Sequence, residues 1–228
     1  MRRVLRDNGL SITMFALFLV FLVLQSIAGY KTTNSENEQH RQPPESFGEY
    51  LTSGAFVEAT FENWESEFLQ MGAYVVLTAL LLQKGSPESK NPDGDEVDAD
   101  PRDQRDAEDA PGPVKRGGLV LTVYEHSLSI ALFALFVVSF VLHALGGHAE
   151  FNQQQLEHGA APVSLWSFVT SSQLWFQSMQ NRQSEFLVVG TLAVLGIFLR
   201  QRGSPESKPV AAPHAQTGTS YHCGKQMV

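Results

Sequence analysis

Two glutamates and one doubled hexapeptide are the residues of this chain whose type and placing could do chemistry. Glu67 and Glu185 each stand at the mouth of a short apolar stretch, inside the same four-residue run, Ser66–Leu69 and Ser184–Leu187. A carboxylate at membrane depth points to ion or proton handling. A carboxylate in the interface, solvated and near the N-terminal half of a helix, is the plainer alternative. GSPESK occurs whole at Gly85–Lys90 and again at Gly203–Lys208. Its Gly and Pro fit a helix stop followed by polar residues at the headgroups. Ser86, Glu88, Ser89 and Lys90, with Ser204, Glu206, Ser207 and Lys208, form a candidate docking motif presented twice.

These matches belong to a larger one. Residues 8–90 and 126–208 align at a constant offset of 118 without a gap, and 33 of the 83 pairs are identical. Leu10–Ile12 returns at Leu128–Ile130, and Phe15–Phe18 returns at Phe133–Phe136. A duplication sets the architecture. The polar residues kept in both copies include Asn34/Asn152, His40/His158, Ser46/Ser164, Thr52/Thr170, Asn63/Asn181 and Ser66/Ser184.

Each copy carries two apolar segments. Leu10–Gly29 and Leu128–Gly147 are 20-residue runs without a formal charge. At 1.5 Å per residue each is about 30 Å long, the thickness of a bilayer core. The second segments, Phe68–Leu82 and Phe186–Leu199, are shorter, and a buried or re-entrant helix is the alternative to spanning there. The residues before them extend the pattern: Phe47, Tyr50, Leu51, Gly54, Val57, Phe61, Trp64 and Phe68 recur every three or four positions. Amphipathic interfacial segments therefore lead into the second and fourth helices. Ser46 with Glu49 fits a capping box at the start of one of them. Trp64, Trp175 and Phe176 suit an aromatic belt.

The fold expected is all-α and integral to a membrane: four transmembrane helices from two parallel tandem repeats. Residues 1–90 are the first repeat, with spans at about 10–29 and 64–82. Residues 119–208 are the second, with spans at about 128–147 and 182–199. Between them lies a disordered acidic linker, 91–118, too poor in apolar residues to fold alone, and 209–228 is read as a disordered tail. Of the 16 Lys and Arg, only Lys31, Arg41 and Arg182 fall in the two loops that join the helices of each repeat. The positive-inside rule then puts both termini and the linker in the cytoplasm. The N-terminal run is longer than the apolar core of a signal peptide, and its copy sits mid-chain, so it reads as retained.

Other chemistry finds little support. The net charge of -8 argues against nucleic-acid binding. Cys223 stands alone, which leaves no internal disulfide and no multi-thiolate metal site. The seven histidines have no metal-ligand spacing. No nucleotide or nucleophile-elbow motif occurs, so no cofactor and no catalytic residue is expected.

The LSI and FALF runs, SEFLQ at Ser66–Gln70, and the ends QKGSPESK and QRGSPESK resemble those of a family of bacterial integral membrane proteins of unknown function. The resemblance covers both repeats. It implies a bacterial origin and a plasma-membrane location, and it implies no reaction. Three functions are weighed. The first is a structural or interaction protein, whose partners are the lipid bilayer and a further copy or another membrane protein. The second is a small oligomeric channel or carrier that uses Glu67 and Glu185. A membrane enzyme ranks last, for want of a catalytic constellation.

Overall fold

The computed structural model describes residues 2–91, 94 and 96–218. Cys223 and the rest of the tail beyond 218 lie outside the described residues. Within them the chain is all-helical, with no strand. In chain order the helices are α1 (Arg2–Asp7), α2 (Gly9–Gln39), α3 (Phe47–Tyr50), α4 (Gly54–Leu80), α5 (Gly112–Arg116), α6 (Gly118–Glu125), α7 (Ser127–Glu157), α8 (Leu165–Val169) and α9 (Ser172–Phe198). Short 3-10 turns occupy Glu96–Asp98 and Pro101–Gln104 in the acidic linker. Among the described residues two helices, α2 and α7, are long and apolar enough to cross a membrane.

Helices α2 and α7 have 31 residues each, and both run about ten residues beyond the apolar stretch that starts them. The added turns are polar, and side chains tie them down. Asn34 clamps the incoming loop at two points: its Nδ2 donates to Glu45 O at 3.2 Å and its Oδ1 accepts from Glu45 N at 2.7 Å. Asn152 does the same to Val163, at 3.1 and 2.8 Å.

The periodic pattern from Phe47 onward is divided between two helices. Ser46 caps α3 in a complete capping box, with the Ser46 amide donating to Glu49 Oε2 at 2.7 Å and the Glu49 amide to Ser46 Oγ at 3.3 Å. Those bonds hold the Glu49 carboxyl below its ordinary range. The helix then breaks at Leu51–Ser53, and α4 starts at Gly54. Ser164 likewise accepts from the Ser167 amide at the head of α8.

Two compact units divide the chain. The first comprises residues 1–62 and 140–175. Its centre is Ala144, Phe168 and Leu174, against which Phe140, Phe151, Val163 and Val169 pack. Here α4 and α7 touch backbone to backbone. A Cβ on Gly54 would lie 2.6 Å from Glu150 N, and one on Gly146 would lie 2.7 Å from Glu58 N. Tyr50 fills the space over Gly29, where a Cβ would meet its hydroxyl. Burial, and then the charge of Glu150, pushes the Tyr50 phenol up.

The second unit comprises residues 63–139 and 176 onward. It holds most of α4 and α9 with the first part of α7. Gly72 gives Phe133 its place, at 3.4 Å from a would-be Cβ, and Gly196 does the same for Pro87 at 2.9 Å. Both α4 and α9 end several residues before the glycine that the sequence marks as their stop. Gly85 and Gly203 serve the turn that follows, at φ 85° and 86°, where a Cβ would be strained. Arg200 closes the end of α9 by donating to the carbonyls of Ile197 and Leu199.

Candidate functional site

The second unit encloses a polar cluster between α4 and α9. Glu65 is fully buried. Its Oε1 is paired with the Arg182 guanidinium and accepts from Ser178 Oγ at 3.0 Å. The guanidinium carbon also sits 5.8 Å from the centre of the Phe136 ring, which adds a cation–π contact. At the next residue of α4, Ser66 Oγ bonds to Glu185 Oε1, one turn beyond Arg182 on α9, and lies 3.0 Å from Asn63 O. Gln70 Nε2 donates to the Glu185 carbonyl at 2.6 Å, pinning the α9 backbone beside α4.

Of the two glutamates singled out by the sequence, only Glu185 joins this cluster by hydrogen bonds. Glu67 is exposed, although it lies within electrostatic reach of Glu185, as does Glu65. Sequence reasoning missed Glu65 and Arg182. Their matching positions hold Gln183 and Trp64, so a search for residues kept in both copies passes over them. The available signal was the mismatch itself: an acid and a base, each with a neutral counterpart.

The two GSPESK copies fold alike. Ser86 Oγ accepts from the Glu88 amide, and Ser204 Oγ from the Glu206 amide, both at 3.2 Å. Ser89 Oγ accepts from the Gln83 amide at 3.0 Å and Ser207 Oγ from the Gln201 amide at 2.9 Å. The serine hydroxyls therefore staple the turn to the chain just beyond each helix, where carbonyls and amides have left the helical ladder. Glu88 is held by the Tyr74 hydroxyl, which donates to its Oε2 at 2.8 Å. Leu192 stands at the matching place on α9, and Glu206 is exposed.

The lysines diverge. Lys90 makes a partly exposed ion pair with Asp98 at 2.6 Å. Lys208 is only 1% exposed, and its ammonium is enclosed by carbonyls. It donates to Gly85 O, to His214 O and Gln216 O at 3.0 Å each, and to Pro213 O at 3.5 Å. Burial, and then the nearby Arg200 charge, holds the Lys208 ammonium below the usual lysine range despite the carbonyls. Residues 209–218 lie along the first motif as a result. The Gly85 amide donates to Thr217 Oγ1 at 2.9 Å, and the Gly218 amide to Ser86 O at 2.9 Å.

His40 and His158 meet edge to face at 5.9 Å in the first unit. Among the described residues no group of three or more His, Cys, Asp and Glu is placed to hold a metal ion.

Neither a curated protein nor a solved structure matches the chain. A family described as Domain of unknown function (DUF6766) matches residues 1–219. That span takes in all four long helices, the polar cluster and both motif copies, and the chain is a member of this family.

Proposed function

We propose that the chain is a multi-pass protein of the bacterial plasma membrane that acts structurally, by contact with the bilayer and with a further copy or another membrane protein. The supporting observation is an inverted distribution of side chains. On α2, Leu10, Phe15 and Phe21 are 78%, 70% and 64% exposed, while Glu65, Ser66, Ser178 and Ser139 are 2% exposed or less. In water such an apolar surface is a liability and polar residues belong outside. In hydrocarbon the preference reverses, and polar groups turn inward to find partners.

In this reading α4 and α9 also span. Each has 27 residues, about 40 Å of helix; α4 exposes Leu80 at its end, and α9 exposes Leu187 and Val188 along its length. The duplication then places two hairpins the same way up, with the termini and linker in the cytoplasm. Of the two motif copies, the second presents its glutamate to solvent and is the better docking face. Single cysteines in a Cys223→Ser background test the arrangement. Labelling from outside intact cells at Ser35 and Gln153, with Asp106 and Ala215 protected, supports it. External labelling at Asp106 overturns it.

One observation favours the channel or carrier reading as a second choice: Glu185 Oε2 is buried and has no hydrogen-bond partner among the described residues. A carboxylate oxygen in that state calls for a proton or a cation. Ion flux into liposomes that is lost in Glu185→Gln supports this reading.

A further inference from the structure

We propose that Glu185 binds one proton reversibly and shares it with Ser66, a proposal that rests on the second reading above, in which Glu185 handles ions. The ground is a count of hydrogens. A serine hydroxyl has one hydrogen to give and lone pairs to accept with. Ser66 Oγ has two oxygens within reach, Asn63 O and Glu185 Oε1. With Glu185 ionised, both are acceptors, and the single hydrogen serves one of them at a time. With Glu185 protonated, its O–H donates to Ser66 Oγ, and the Ser66 hydrogen goes to Asn63 O. The chain of three groups is fully bonded only when the proton is present.

Charge works in the same direction. Three charged groups act on Glu185: Glu65 and Glu67 from α4, and Arg182 from its own helix. Helix α7 brings no ionisable side chain between residues 127 and 142. The one cation is already paired with Glu65. Glu185 is thus a second carboxyl beside a pair that is neutral without it, and its remaining oxygen has no hydrogen-bond partner among the described residues. The matching position on α4 lacks this arrangement. Ser184 Oγ donates to Asn181 O at 2.8 Å, and the Glu67 carboxylate stays exposed. The stoichiometry is one proton per chain.

The test is infrared difference spectroscopy of the purified full chain in detergent micelles, titrated between about pH 4 and pH 9. A protonated-carboxyl band that titrates, vanishes in Glu185→Gln and survives in Glu67→Gln supports the proposal. In Ser66→Ala the band must shift in frequency, because its O–H has lost its acceptor. If Glu185→Gln misfolds, Glu185→Asp draws the carboxyl back by one methylene and must move the same band. A spectrum without a Glu185-dependent band, or a band unmoved in Ser66→Ala, overturns the proposal. Micelles carry no gradient, so the band with no liposome flux upholds the proton site and removes only the transport reading.

Discussion

Replacing Arg182 by Met should cost this protein more stability than any other single change of charge. Glu65 is 0% exposed and the Arg182 side chain 14% exposed, so neither partner can fall back on solvent. Removing one member of a buried pair leaves an uncompensated charge and costs about 3–5 kcal/mol. Met keeps much of the contact with the Phe136 ring, so the loss is mainly electrostatic. At about 2–4 °C per kcal/mol for a chain of this size, the melting temperature should fall by about 6–20 °C. The assay is thermal unfolding of the detergent-solubilised protein followed by far-ultraviolet circular dichroism. Adding Glu65→Gln in the same chain removes the orphaned charge while keeping an acceptor for Ser178, so most of the loss should be recovered. A single variant that melts within about 3 °C of the parent would refute the reasoning. So would a double variant no better than Arg182→Met alone.

Three further outcomes are expected. Gly146→Ala drives a Cβ to within 2.7 Å of the Glu58 amide nitrogen and should cost about 1–3 kcal/mol in the same melts, whereas Gly190→Ala meets nothing within 4 Å and should gain up to about 1 kcal/mol from helix propensity. Lys208→Met should free residues 209–218, read as faster amide exchange at Gly85 and Gly218 and as new protease cleavage there. Lys90→Met should do neither, because its ion pair is partly exposed and such pairs contribute about 0–1 kcal/mol. The Glu49 carboxyl is depressed by its bonds to Ser46, so its contribution to the α3 cap is complete above the ordinary value of 4.5 and is lost as pH falls through the lower folded value. Amide exchange at Glu49 should quicken on that acid side, and Glu49→Gln should remove the dependence.

Much of the helical framework was legible because apolar runs are its direct record. The starts of α2 and α7 follow the charge-free stretches at Leu10 and Leu128 closely. Their ends were not legible, since the polar turns after Gly29 and Gly147 are held by the Asn34 and Asn152 clamps, which act on residues eleven places away. Comparing matched positions found the polar groups that shape the backbone: those two asparagines, the caps Ser46 and Ser164, and the motif serines. It could not find the Glu65–Arg182 pair, for a physical reason. The pair needs one acid on α4 and one base on α9, and here each has a neutral counterpart in the other copy, Gln183 and Trp64. The part of the cluster with most electrostatic consequence lies where the copies differ.

The carbonyl enclosure around Lys208 carries a schedule. Gly85 is synthesised early, whereas the ammonium that reaches it comes 123 residues later, and Thr217 is 132 residues from the amide it receives. Until the ribosome has passed Lys208 the Gly85 carbonyl has no lysine, and until it has passed His214 and Gln216 the lysine has no complete cage. This closure therefore forms only after α2, α4, α7 and α9 have all been translated. A chain truncated before Pro213 would carry every described helix and both hexapeptides, yet would leave the ammonium of Lys208 without three of its four acceptors.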